Sequence, residues 1–162
     1  MSRFSATTAS EAVVAADRSR IWAVLRDPVL LPQLTPLLRK IETDGDRWRW
    51  HLVGLSVLGV GISPVFTERM VFDEGDGDGH RIDYTHAPPP GVRESTGAEG
   101  WYVLTDEPGG GTRLAISLGL SVELPLPRLA APAVTAVMKE TMQRMGDRFS
   151  ANLLRHLGVP AR

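Results

Sequence analysis

The sequence predicts one α+β domain: a curved antiparallel sheet of about seven strands, two short helices after the first strand, and a long C-terminal helix across the sheet. Three observations predict it. Apolar residues alternate with period two through most of the stretch from Leu37 to Val122. After Pro125 and Pro127 the period changes to 3.6 and holds to Leu157. No Ser/Gly-rich linker and no internal repeat divides the 162 residues, a length that suits a single domain over residues 1–162.

The elements follow in order. Phe4 to Ala16 is rich in Ala, Thr and Val and reads as a strand. Asp17 stands as N-cap to a short helix carrying Ile21, Trp22, Val24 and Leu25. Asp27 before Pro28 repeats that start signal for a second short helix with Leu30, Leu31 and Leu34, which Pro36 ends. Trp48, Trp50 and Leu52 then alternate with Arg47, Arg49 and His51. Phe66, Glu68, Met70 and Phe72 share one face of the next strand. Ile82, Tyr84 and His86 share a face of the one after, which breaks at Ala87-Pro88-Pro89-Pro90-Gly91. A strand from about Arg93 to Thr105 precedes a tight turn at Pro108 to Gly111. The last strand sets Leu114, Ile116, Leu118 and Leu120 on one face. Short Gly-rich turns between successive strands favour an antiparallel meander. Val134, Val137, Met138, Met142, Met145, Phe149, Leu153 and Leu157 form the apolar stripe of the final helix, which Gly158 and Pro160 stop.

Composition narrows the function classes. Eighteen Lys and Arg against nineteen Asp and Glu give a net charge of −1, no field for phosphate-dominated binding, which argues against nucleic acid as a partner. Cysteine is absent, so thiolate metal sites, disulfides and a cysteine nucleophile are excluded. That absence agrees with a cytoplasmic location. Met1 to Ser10 carries no apolar run of the signal-peptide kind, and the most apolar stretch, Leu52 to Phe66, is too short and too interrupted to span a membrane. A soluble protein with no integral membrane segment is expected.

The residues Val13-Val14-Ala15-Ala16-Asp17-Arg18-Ser19-Arg20-Ile21-Trp22 to Asp27-Pro28, the hairpin residues Gly110-Gly111-Thr112-Arg113-Leu114, and the helix end Phe149 to Gly158 together resemble the START/Bet v 1-like superfamily. The likeness is to its bacterial polyketide cyclase/dehydrase-like branch and covers essentially the whole chain. It implies a helix-grip fold with a cavity between sheet and long helix. Members bind lipids, sterols, polyketides, quinones or hormones; some catalyse cyclisation or dehydration, and others associate with macromolecules. No single catalytic set runs through the family, so the resemblance assigns none.

On this footing Trp50, Glu68, Met70, Tyr84, His86, Tyr102, Met138, Met142 and Met145 are the expected pocket residues for a small apolar molecule. Glu68 lies on an apolar strand face, where burial would raise its pKa and fit it for acid or base work; the plainer alternative is a bulge that leaves it solvated or paired with an Arg. His86 suits proton transfer near neutral pH if it points inward with Tyr84, or is a strand-end residue touching solvent. Trp50 and Tyr102 offer flat walls with a polar handle, or plain core packing. If that strand is regular, Trp101 faces away from Tyr102. The three helix methionines suit a ligand of variable shape, or are ordinary core.

Several motifs fail on inspection. Glu74 to Gly79 begins with Glu and would place Thr85 at the twelfth position, so it is a solvated turn rather than a calcium loop. Gly109-Gly110-Gly111-Thr112 has no Lys and is not a phosphate loop. His51, His80, His86 and His156 have no metal-ligand spacing. No motif calls for a cofactor. Three functions remain: a carrier of an apolar ligand; a cofactor-independent cyclase or dehydratase using His86, Glu68 or Tyr84; and a surface-interaction module. The last would work through the apolar connection Leu55–Val60, which also suits a homodimer contact or a membrane-touching lip.

Overall fold

A computed structural model of the chain describes residues 1–75, 77 and 79–160. The chain runs β1 (Ser2–Val14), α1 (Arg18–Leu25), α2 (Leu31–Leu34), β2 (Leu38–Asp44), β3 (Arg47–Leu52), β4 (Leu55–Val57), β5 (Val60–Ile62), β6 (Val65–Asp73), β7 (Gly79–His86), β8 (Thr96–Asp106), β9 (Thr112–Leu124) and α3 (Ala131–Leu157). A short 3₁₀ turn, Arg128–Ala130, leads into α3. Seven strands form one antiparallel sheet in the order β1-β9-β8-β7-β6-β3-β2. The helix-grip α+β architecture expected from the sequence is present.

The sheet works because each strand separates its residues by parity. Phe4, Ala6 and Val14 of β1, Leu104 of β8, and Leu114, Val122 and Leu124 of β9 are buried, and they meet Val134, Met138, Met142, Phe149, Leu153 and Leu157 of α3. The core has two adjoining parts. One gathers α1, α2 and the last turns of α3 around Trp22, Trp48 and Ile82; the other joins the first turns of α3 to β1, β9 and Val57.

Ties between elements hold α3 in place. Asn152 Nδ2 donates to Leu34 O of α2 at 2.9 Å, and Arg20 donates to Leu157 O at 2.7 Å, satisfying a carbonyl that the helix end leaves free. Gly158 ends the helix in the left-handed region, with φ 70°. Of the two expected aspartate caps, Asp27 Oδ1 accepts from the N–H groups of Val29 and Leu30 at 2.9 and 3.0 Å. The Asp17 side chain makes no capping bond; its backbone carbonyl takes Arg20 and Ile21 instead.

Three boundaries differ from expectation. β1 ends at Val14, and β8 begins at Thr96, with Ser95 O just ahead of it accepting from the Glu123 N–H. The apolar connection at Leu55–Val60 is not a loop but the hairpin β4–β5. Leu58 and Gly59 at its tip both have positive φ, 49° and 81°, which suits the right-handed twist of a two-residue hairpin turn. Glu74 closes the base of the next turn by accepting from Trp22 Nε1 and Arg26, each at 3.3 Å. Of that acidic segment, Asp76 and Asp78 lie outside the described residues.

Candidate functional site

The inner face of β6, β7 and β8 brings three titratable side chains together. Register sets Phe72, Ile82 and Tyr102 in one row and Met70, Tyr84 and Gly100 in the next. Glu68 follows two residues further along β6, on the same face. Diagonal neighbours on one sheet face stand about 7–8 Å apart, within reach of long side chains. The rings of Tyr84 and Tyr102 lie 5.6 Å apart, tilted by 46°.

A cavity of about 170 Å³ opens above this row. β1, β9 and α3 supply Thr8, Leu118, Met142, Met145 and Phe149; β3 supplies Trp50; α2 adds Leu31. Trp50 stacks on Phe66, its pairing partner across β3 and β6, at 6.5 Å and an interplanar angle of 8°. The solvent-exposed lining residues Ser10, Gly146 and Ser150 mark a mouth between β1 and α3. A second chamber of about 70 Å³ adjoins it beneath the β4–β5 hairpin and shares Leu52, Phe66, Leu120, Met142 and Met145.

Glu68 is 3% exposed. Among the described residues no donor closes a hydrogen bond on its carboxylate, and no Lys, Arg or His lines the cavity. The Trp50 indole N–H comes near it without reaching hydrogen-bond geometry, and is itself buried without a partner. Burial therefore pushes the Glu68 pKa well above the usual carboxylate range, offset only in part by Trp50. Burial thus favours the protonated, uncharged form of this carboxyl.

The two tyrosines are shifted up as well, chiefly by burial; Tyr102 adds to the shift of Tyr84, and a charge on Glu68 adds to both. Their hydroxyls differ in one respect. Tyr84 donates to Ser117 O at 2.7 Å by lying across Gly100, where a Cβ would run into both the Tyr84 hydroxyl and the Ser117 carbonyl. Glycine is required there by close approach. The Tyr102 hydroxyl borders the cavity with no protein partner among the described residues.

Of the nine expected pocket residues, Trp50, Glu68, Tyr84, Tyr102, Met142 and Met145 line the cavity. Met138 lines the adjoining chamber instead. Met70 is buried in the core, 4% exposed, and borders neither. The inward orientation expected for His86 is corrected. His86 is the last residue of β7 and still pairs with Glu68 of β6, but pairing between β7 and β8 has already stopped at Tyr84 and Gly100, and the His86 ring lies over Gly97, whose missing Cβ makes the room. There its Nε2 meets Glu94 Oε1 at 2.9 Å. Trp101 takes the outer face, with the Arg81 guanidinium 5.3 Å above its ring.

Sequence reasoning passed over Ile116, Leu118 and Phe149, which line the cavity and were on apolar faces already recognised. It also passed over Glu94, which sits in a connection with no period to betray burial. No cluster of three or more His, Asp or Glu among the described residues is placed to hold a metal ion. No helix among them is long and apolar enough to cross a membrane.

Comparison with known proteins bears on this geometry. The structure superposes on the Zhui aromatase/cyclase from Streptomyces sp. R1128 with a TM-score of 0.68 and 14% identity, covering 95% of this chain and 94% of that one. For human StAR-related lipid transfer protein 5 the TM-score is 0.75 at 13% identity, over 94% of this chain and 75% of that one. A START superfamily protein from Mycobacterium smegmatis gives 0.64 at 18% identity, over 94% and 97%. At these identities the likeness is one of fold. Among curated proteins none matches the chain. The family model described as polyketide cyclase / dehydrase and lipid transport matches residues 5–158, nearly the whole chain, and the protein belongs to that family.

Proposed function

We propose that the chain, as one ligand-binding domain, holds a small, largely apolar molecule of the lipid, polyketide or quinone kind between the sheet and α3. The observation that carries this is an apolar cavity whose only titratable lining groups, among the described residues, are Glu68, Tyr84 and Tyr102. Trp50, Met142 and Met145 supply adaptable apolar walls. Its volume, about 170 Å³, compares with the cavity of about 150 Å³ that accepts benzene in an engineered protein. It falls below the roughly 300 Å³ at which drug-sized pockets begin. The size favours a ligand of one or two rings. The family description and the printed names of a lipid transfer protein and an aromatase/cyclase support an apolar ligand without choosing between carrier and enzyme. No cofactor is needed for this reading, and a cytoplasmic location suits a chain without cysteine.

Native mass spectrometry of freshly purified protein, followed by a thermal-shift panel of apolar compounds, tests it. A co-purifying apolar molecule, or stabilisation by compact ring compounds, is the expected result. An empty protein that no member of the panel stabilises would overturn it.

A second reading concerns the hairpin tip. Leu58 is 48% exposed in a left-handed conformation that leucine rarely adopts, which supports a contact made there with a second copy. In that case Leu58→Asp converts a dimer to a monomer in analytical ultracentrifugation. A carrier acting as a monomer keeps both its sedimentation and its ligand binding.

A further inference from the structure

We propose that Glu68 and Tyr102 form a neutral hydrogen-bonding end to the cavity that recognises a carbonyl oxygen on an otherwise apolar ring ligand, with the Glu68 carboxyl as a donor. The inference rests on the ligand-binding reading above and deepens it.

The argument begins with unmet hydrogen bonds. A buried polar group without a partner costs about 1–3 kcal/mol, so natural structures satisfy almost all of them. Here three lie around one cavity. The Glu68 carboxyl has no closed hydrogen bond, the Trp50 N–H beside it is buried without a partner, and the Tyr102 hydroxyl faces the same space. The Tyr84 hydroxyl is excluded from the set because Ser117 O already takes its proton.

The unmet groups have a definite polarity. The Trp50 N–H can only donate, and it stands by the Glu68 carboxyl. A neutral carboxyl whose carbonyl oxygen is turned towards the Trp50 N–H keeps its O–H free for the cavity. Tyr102 can donate alongside it. Glu68 of β6 and Tyr102 of β8 line one cavity, near enough for the Glu68 charge to be felt at Tyr102, and two donors facing one space suit an acceptor with two lone pairs, which a carbonyl oxygen supplies. A ligand ammonium would need Glu68 ionised in surroundings that hold no other cation. Forming that ion pair out of water costs more than a neutral contact unless further hydrogen bonds support it, and none is present at Glu68.

Three probes of nearly equal shape separate the outcomes: tetralin, 1-tetralone and 2-aminotetralin. Their affinities are read by isothermal titration calorimetry or ligand-observed NMR on the full chain and its variants. Wild type should bind 1-tetralone about tenfold more tightly than tetralin. Glu68→Gln, which keeps an N–H donor, should hold that preference within about threefold. Glu68→Leu should abolish it while binding tetralin at least as well, which also shows that the variant is folded. Tyr102→Phe should reduce the preference in part. Equal affinity of wild type for tetralin and tetralone, or a preference that survives Glu68→Leu, overturns the inference and leaves the cavity reading standing. Tighter binding of 2-aminotetralin that strengthens with rising pH overturns it in favour of an ion pair. Failure of all three probes to bind overturns the cavity reading and this inference with it.

Discussion

Glu68 and Glu94 are both buried carboxylates at the same end of the sheet, 3% and 9% exposed, and their surroundings are opposite. Glu94 reaches from the connection between β7 and β8 to the outer side of β6. Its Oε1 accepts from Thr67 N at 2.8 Å and meets His86 Nε2 at 2.9 Å, and its Oε2 accepts from Thr67 Oγ1 at 2.8 Å. Glu68, one residue along β6 from Thr67, faces the other way and has no such partners. Burial alone therefore does not mark a functional carboxylate. A satisfied one pins a loop to a strand; an unsatisfied one beside a cavity stores a hydrogen bond for something else.

The largest effect should come from breaking the satisfied group. Glu94→Ala strands the Thr67 N–H and hydroxyl in a buried place and frees the proline-rich connection 87–95 from β6. A loss of about 2–4 kcal/mol is expected, read as a lower urea midpoint with an unchanged slope. Ligand binding by the folded fraction should survive. A loss below about 1 kcal/mol would mean that Glu94 is as loosely held as Glu68, and the contrast would fail.

Glu68→Leu should act in the opposite direction, raising stability by about 1 kcal/mol at neutral pH, because it removes a desolvated carboxyl without stranding a bonded partner. The pH dependence sharpens this. The folded-state pKa of Glu68 lies above its unfolded value, so the native state binds more protons between the two. Wild-type stability therefore falls as pH rises from about 4.5 towards the folded pKa, by up to roughly 1.4 kcal/mol per pH unit. Glu42 and Glu123, held low by His51 and Arg93 respectively, contribute the opposite slope at acid pH in every variant. The difference between wild type and Glu68→Gln isolates Glu68. Urea unfolding of both from pH 5 to 8 should show a gap that widens with pH; a constant gap would place Glu68 in contact with solvent.

How much of this the sequence disclosed follows from how local each cause is. Alternation along β6 put Glu68 on the face of Phe66 and Met70, since a strand's parity is a property of its own residues. The long helix, the two short ones and the succession of strands along the chain were legible for the same reason. Parity failed at His86, because the place where β7 and β8 stop pairing depends on how two strands meet. Met70 and Met138 were correctly apolar yet lie off the cavity; a stripe shows which side is buried, whereas empty space is a remainder among many packed side chains. Gly100 read as one glycine among sixteen until Tyr84 was seen lying across it. Glu94 had no periodic neighbours at all.

The smallest effect tests the sequence's own choice of acid or base. His86 supplies only one of the three contacts that Glu94 makes, and its side chain is 20% exposed, so water can replace part of what it gives. His86→Gln should cost about 0.5–1 kcal/mol and change affinity for compact ring compounds by less than twofold, since its ring lies over Gly97 and outside the lining of the cavity. Should His86→Gln instead weaken ligand binding tenfold while stability stays level, the imidazole would have to reach the ligand from the outer side of the sheet. The division between a structural carboxylate at Glu94 and a ligand-facing one at Glu68 would then collapse, because both would belong to a single site running through the gap where β7 and β8 part.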